Sequence, residues 1–275
     1  MRLPTLVILA LLLGTEARAE GWKLIWADEF NKPGQPDPSH WAHESGFIRN
    51  HESQFYTVER PENARVTNGV LVIEARKEKF PNPRYKPGSN KQRQFAEYTS
   101  ASLKSKNLAE WQYGRIEVRA RLPRGRGVWP AIWMLGSNEQ QVGWPRCGEI
   151  DMMEYVGFEP ETIHANIHTG KYNHNKNNGK GSTLKINQPY NSFHNYSIEW
   201  SPTKIDFFVD ETKYFTYAKE EGATQDAWPF DQKCFLILNL AIGGEWGGMH
   251  GIDDSIFPQR FEIDYVRVYQ SADQQ

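Results

Sequence analysis

Apolar and polar residues alternate with a period of two through most of residues 22–270, in short segments. Alternation predicts strands with one buried face, because successive side chains of an extended chain point to opposite sides. The segments are 22–27, 64–67, 70–75, 98–105, 113–120, 131–135, 149–155, 162–169, 194–200, 204–209, 235–241 and 261–270. Turn signals separate them, among them Thr67-Asn68-Gly69, Pro123-Arg124-Gly125, Asn177-Asn178-Gly179 and Val209-Asp210-Glu211. Helical spacing is scarce, and short helical turns are expected near residues 38–41 and 189–193. A dozen short strands with frequent turns predict an all-β sandwich of two antiparallel sheets. Strong strands near both ends argue for one domain over residues 20–275. Loops at 31–58, 77–97, 171–189 and 219–233 are long enough to wall a cleft.

One segment breaks the pattern. Glu149-Ile150-Asp151-Met152-Met153-Glu154 sets three carboxylates among Ile and Met. An unpaired carboxylate away from water is costly, so a buried strand normally avoids it. In regular alternation Glu149, Asp151 and Met153 share a face and Glu154 points away. A β-bulge at Met152-Met153 would reset the register and return Glu154 to the face of the other acids. The two glutamates would then stand roughly 13 Å apart at Cα, at about 3.3 Å per residue. Inward-leaning side chains on a curved sheet would bring the carboxyls to about 5–5.5 Å, the separation of a retaining glycosidase. An acid-rich strand on a solvated face is the plain alternative.

Composition sharpens this picture in four places. Residues 1–19 have the build of a secretory signal: Arg2, an apolar run from Leu6 to Leu13, and Ala17-Arg18-Ala19. The run is too short to span a membrane, so the mature chain is expected to be secreted, extracellular or periplasmic. A net charge of −2 gives no bulk attraction for nucleic acid. The chain is 13% aromatic, more than its polar composition needs for a core, and exposed aromatic faces suit the apolar C–H faces of sugars. Cys147 and Cys234 are the two cysteines; a disulfide and a pair of buried thiols both fit the sequence, and two cysteines do not make a zinc site.

Several motifs, in order, carry a resemblance. They are Tyr113-Gly114-Arg115-Ile116-Glu117-Val118-Arg119, Gly127-Val128-Trp129-Pro130-Ala131-Ile132-Trp133-Met134-Leu135, Gly148-Glu149-Ile150-Asp151-Met152-Met153-Glu154-Tyr155, Leu238-Asn239-Leu240-Ala241-Ile242-Gly243-Gly244 and Phe261-Glu262-Ile263-Asp264-Tyr265-Val266-Arg267-Val268-Tyr269. On these the chain resembles glycoside hydrolase family 16, and within it the laminarinases, over nearly all of residues 21–270. The resemblance implies a jelly roll with a concave substrate cleft, a β-1,3-glucan polysaccharide as partner, a single chain as the working unit, and no cofactor for catalysis.

The resemblance also implies roles. Glu149 would be the nucleophile, Glu154 the general acid/base, and Asp151 the neighbour bonded to Glu149 that helps hold Glu154 protonated. Trp129, Trp133 and Trp246 would be sugar platforms, with Trp144 a weaker candidate. Of His164, Asn166 and His168, which alternate onto one face, His168 would approach the acid/base. Asn50 falls where relatives carry a sugar-binding Asn, although Asn50-His51-Glu52-Ser53-Gln54-Phe55-Tyr56 has one residue more than the usual pattern. Glu29, the backbone oxygen of Gly69 and Asp264 match a structural calcium site. The E-x-D-x-x-E spacing departs from the unbulged mixed-linkage lichenases. Agarases, carrageenases and porphyranases share the spacing, and glucan-recognition modules share the fold without the acids.

Overall fold

A computed structural model describes residues 21–89 and 93–271; the expected leader at 1–19 lies outside them. Two sheets pack face to face. The first has the order Lys180–Lys185, Thr162–His168, Glu149–Glu154, Val128–Gly136, Cys234–Ile242, Ser102–Lys104, Ala42–His43. The second runs Thr212–Ala218, Lys204–Val209, His194–Trp200, Gly114–Arg121, Gln259–Ser271, Val70–Pro81, Phe95–Ser100, Gln54–Tyr56. Trp22–Asp28 and Ala64–Thr67 pair onto it as side branches. The sandwich is therefore the expected jelly roll, with one correction. Gln54–Tyr56 pairs parallel to the end of Phe95–Ser100, so the second sheet is not purely antiparallel.

Alternation does the sorting. On Thr162–His168, Ile163, Ala165 and Ile167 are fully buried between the sheets, leaving His164, Asn166 and His168 on the opposite face. On Cys234–Ile242, Leu236, Leu238 and Leu240 enter the same core, and Phe235, Ile237 and Asn239 face away. From the second sheet Leu71, Ile73, Ile116, Val118, Ile198 and Phe207 complete it. Burying each such side chain contributes about 1.5–3 kcal/mol, enough to fix register on both sheets. Away from the core, the second sheet carries ion pairs, such as Arg115 with Glu199 across strands and with Glu117 along its own strand.

Of the two expected helical turns, the one at 38–41 is a single turn closed by Trp41 N–H donating to the Asp37 carbonyl at 2.9 Å, and the one at 189–193 is a non-helical turn. Short helices occur instead at Glu139–Val142 and Gly244–Gly247. Both cysteines are free and fully buried, which settles the alternative left open by the sequence against a disulfide. Burial pushes the Cys147 thiol up to about 12, so it is no nucleophile near neutral pH.

Candidate active site

The strand Glu149–Glu154 is entered through Gly148. Its φ is +79°, and an added Cβ would lie 2.7 Å from Pro229 Cγ, so only glycine fits. Glu149 then pairs with His168 and Asp151 with Asn166 on the next strand. The register slips after Asp151: Glu154 pairs with His164, one residue late. Against Val128–Gly136, Asp151 opposes Trp133 and Met153 opposes Ile132, leaving Met152 as the extra residue. The bulge is thus at the expected place. Ile150, Met152 and Met153 are all fully buried in the core, and the three acids share the other face. What recommends a bulge here is this double demand, three acids out and three apolar side chains in.

The acids line a cleft of about 1320 Å³ over the first sheet. Trp144 Nε1–H donates to Glu149 Oε2 at 2.9 Å. His168 Nε2 lies 3.7 Å from Glu149 Oε1 and 3.3 Å from Asp151 Oδ2. Burial, then the neighbouring Asp151, pushes Glu149 well above the usual carboxylate range. Burial, then Glu154, does the same to Asp151. The neighbouring His168 and the Trp144 indole oppose the rise at Glu149, favouring its ionised form.

Glu154 has a different setting. Its Oε1 accepts from Trp129 Nε1–H at 3.1 Å and its Oε2 from Asn166 Nδ2 at 2.9 Å. Two neutral donors fix the carboxyl's orientation. Asn166 is held in turn by a close glycine: a Cβ on Gly181 would come within 2.3 Å of its Oδ1.

The other expected residues divide. Trp129, half-buried, orients Glu154 as well as lining the cleft. Trp133 is 8% exposed and lines the cleft with Ala131, Leu135, Phe235 and Ile237, its neighbours in a small apolar cluster. Its Nε1–H donates to Asn239 at 2.7 Å, and the Arg49 guanidinium covers its ring at 4.9 Å. It forms part of the cleft floor, in the cleft as expected. Trp246 sits on the Gly244–Gly247 helical turn, edge-on to Trp129 at 5.6 Å and to His164 at 4.8 Å. Asn50 is exposed on the cleft wall, its carbonyl accepting from the Glu245 N–H at 3.0 Å. His168 reaches Glu149 and Asp151, while Asn166 takes the place beside Glu154 where the histidine was expected. His174, given no role by the sequence, lies tilted against Trp144 at 5.3 Å and edge-on to His168 at 5.0 Å.

Trp246→Ala is expected to raise KM for long oligosaccharides several-fold, because a rim ring is lost. It should also lower kcat modestly, since Trp129 loses a packing partner. Two aromatic contacts worth about 0.5–1.5 kcal/mol each limit the drop in thermal midpoint to a few degrees. A much larger drop in a melt would make Trp246 a core residue.

The calcium expectation meets a poor donor set. Glu29 receives a bidentate pair from Arg267 at 2.8 and 2.9 Å, and Asp264 is bonded by Arg119. Gly69 occupies the Asn68-Gly69 hairpin turn. Two carboxylates already neutralised by guanidinium groups do not fit a calcium site as they stand, and no step depends on one.

Comparison with known proteins agrees with this geometry. Residues 51–267 match the family model described as Glycosyl hydrolases family 16. The chain is 45% identical over 261 residues to a beta-glucanase of Rhodothermus marinus, covering 92% of this chain and 86% of that one. It is 38% identical over 272 residues to a glucan endo-1,3-beta-glucosidase of Cryptopygus antarcticus, covering 94% and 96%. The X-ray structure of the Rhodothermus marinus laminarinase superposes with a TM-score of 0.83 at 44% identity, covering 91% of this chain and 98% of that one. The chain belongs to the glycosyl hydrolases of family 16.

Proposed function

We propose that the protein is a retaining endo-β-1,3-glucanase of laminarinase type. The observation that carries this is the bulged strand, which turns Glu149, Asp151 and Glu154 into one aromatic-walled cleft. At about 1320 Å³ the cleft exceeds the roughly 300–1,000 Å³ of an ordinary small-ligand site, as a polymer substrate needs. In the first step Glu149 attacks the anomeric carbon from one face and Glu154 gives its proton to the departing glycosidic oxygen. A covalent glycosyl-enzyme of inverted configuration results. In the second step Glu154 takes a proton from water, whose oxygen displaces Glu149, and the two inversions give net retention. Trp129 and Asn166 hold Glu154 in line for both transfers. All three acids are in place, which speaks against a binding-only module.

The similar beta-glucanase and endo-1,3-beta-glucosidase support β-1,3-glucan as the substrate. Digests of laminarin, curdlan, lichenan, agarose and carrageenan test it. Oligosaccharides should appear early from laminarin, with the β configuration first by proton NMR. Products from agarose alone would overturn the substrate, and first-formed α-anomers would overturn retention. The signal-like pattern of residues 1–19 supports an exported protein that acts on an external polymer, with a single chain as the proposed working unit. N-terminal sequencing and gel filtration of the secreted product test both points. Among the described residues no helix is long and apolar enough to cross a membrane.

A further inference from the structure

The atoms that serve the two sugar-transfer steps also have the spacing of a metal-ligand set. Glu149, Asp151 and His168 each offer one ligand atom, and the three atoms lie within 4.8 Å of one another. His168 Nε2 is 3.3 Å from Asp151 Oδ2 and 3.7 Å from Glu149 Oε1. A tetrahedral zinc with bonds of about 2.0–2.2 Å holds its ligand atoms about 3.3–3.6 Å apart. The two histidine–carboxylate spacings nearly match those edges without any rotamer change. Backbone pairing fixes them, since Glu149 stands opposite His168 and Asp151 opposite the nearby Asn166.

A second observation points the same way. Asp151 is 3% exposed, yet its Oδ2 has no hydrogen-bond donor, and His168 Nδ1 has no partner either. Buried polar atoms without partners are rare, and this carboxylate oxygen faces the imidazole. Among the described residues no other group of three histidine, cysteine, aspartate or glutamate side chains converges in this way.

We propose that Glu149, Asp151 and His168 form an inhibitory site for a zinc-class divalent cation. One imidazole nitrogen and two carboxylate oxygens supply three ligands, and the fourth position stays open to water. The donor set also fixes selectivity. Imidazole with carboxylate suits zinc and its transition-metal neighbours, whereas magnesium and calcium need more oxygen ligands than this site provides. Because Glu149 is a ligand, a bound cation and attack on an anomeric carbon exclude each other. The metal therefore acts by occupying the nucleophile. This inhibitory consequence rests on the glucanase reading; the binding does not.

Zinc chloride is the probe, titrated into the purified full chain by calorimetry and followed by thermal shift, with magnesium chloride as comparison. The expected result is one bound zinc per chain. At a hundredfold excess over Kd the midpoint should rise by about 5–10 °C, with no shift in magnesium. His168→Gln should lose the binding and the shift, while His194→Gln, a histidine on the other sheet, should keep both. No zinc binding by the wild type, or binding that survives in His168→Gln, would overturn the site. If His168→Gln does not fold, Asp151→Asn replaces it, and laminarin oligosaccharide competing with zinc in the calorimeter gives a variant-free reading. Binding unaffected by a bound oligosaccharide would overturn the shared location. On laminarin, zinc should raise apparent KM and EDTA should restore activity. Zinc bound through His168 in a protein that leaves laminarin intact would refute the substrate reading and spare this one; laminarin cleaved with zinc unbound would do the reverse.

Discussion

Glu149→Gln should lose laminarin hydrolysis by about a thousandfold or more while raising the thermal midpoint at neutral pH. The loss follows from the chemistry: an amide oxygen does not form the glycosyl-enzyme, and without it neither inversion occurs. The gain follows from the electrostatics. Burial and Asp151 push Glu149 above the usual carboxylate range. A carboxyl with a raised folded-state pKa favours folding fully below its unfolded value and loses that contribution as pH rises through the folded value. At neutral pH the ionised site is therefore a standing cost, and a neutral amide of the same shape removes it. A gain of order 1 kcal/mol corresponds to about 2–4 °C at this chain length. The advantage should shrink as pH falls toward 4 and below, where wild-type Glu149 is protonated in both states. Melts of both proteins at pH 7 and pH 4 check it. A variant less stable than wild type at pH 7 would mean that the acid stabilises the fold, and more than about 1% residual kcat would take the nucleophile's role away.

That cost also explains what the sequence revealed. Three acids among Ile and Met contradict the burial rule, and such contradictions concentrate at functional sites. The fold was legible for the same reason in reverse: wherever one face is apolar, alternation shows it. His194–Trp200, Lys204–Val209 and Ala64–Thr67 match the expected bounds. Lys180–Lys185 and Thr212–Ala218 were missed because they are edge strands with little apolar burial, Gly and Ser in one and exposed Thr and Lys in the other. Gln54–Tyr56 was hidden in a loop because three residues do not make a period. Val70–Pro81 runs six residues past its expected end, where it leaves the core and pairs with Phe95–Ser100 as a ribbon.

The site was half legible. Period two placed His164, Asn166 and His168 on the acids' face, but not which of them meets which acid. That depends on the bulge, which sets Glu154 opposite His164 and lets Asn166 reach it diagonally. Trp144 holds Glu149 from a loop, and no local pattern links a loop indole to a strand carboxylate five residues on. Trp133 carries the same signal as Trp129 and also lines the cleft, but no local pattern shows the Arg49 guanidinium over its ring.

Glu154→Ala should cut laminarin turnover by about 10²–10⁴, the usual worth of a positioned acid/base. The loss should depend on the leaving group. A sugar alkoxide needs the proton that Glu154 supplies, whereas an aryl glycoside with an acidic phenol leaves without it, so its first step should survive. The glycosyl-enzyme then lacks a base to activate water and should accumulate as a burst. Azide needs no base, and the variant leaves a place for it: Trp129 Nε1–H and Asn166 Nδ2, which held the carboxylate, become two donors facing an anion-sized gap. Added azide should therefore restore turnover on the aryl glycoside and yield a β-glycosyl azide, the product of two inversions. An α-glycosyl azide would exchange the roles of Glu149 and Glu154. Combining Glu154→Ala with Asn166→Ala should weaken the rescue while leaving the burst, because Asn166 acts on whatever occupies the acid/base position and not on Glu149. A rescue undiminished in the double variant would show that Asn166 only packs against Gly181 and does not position the proton-transfer group.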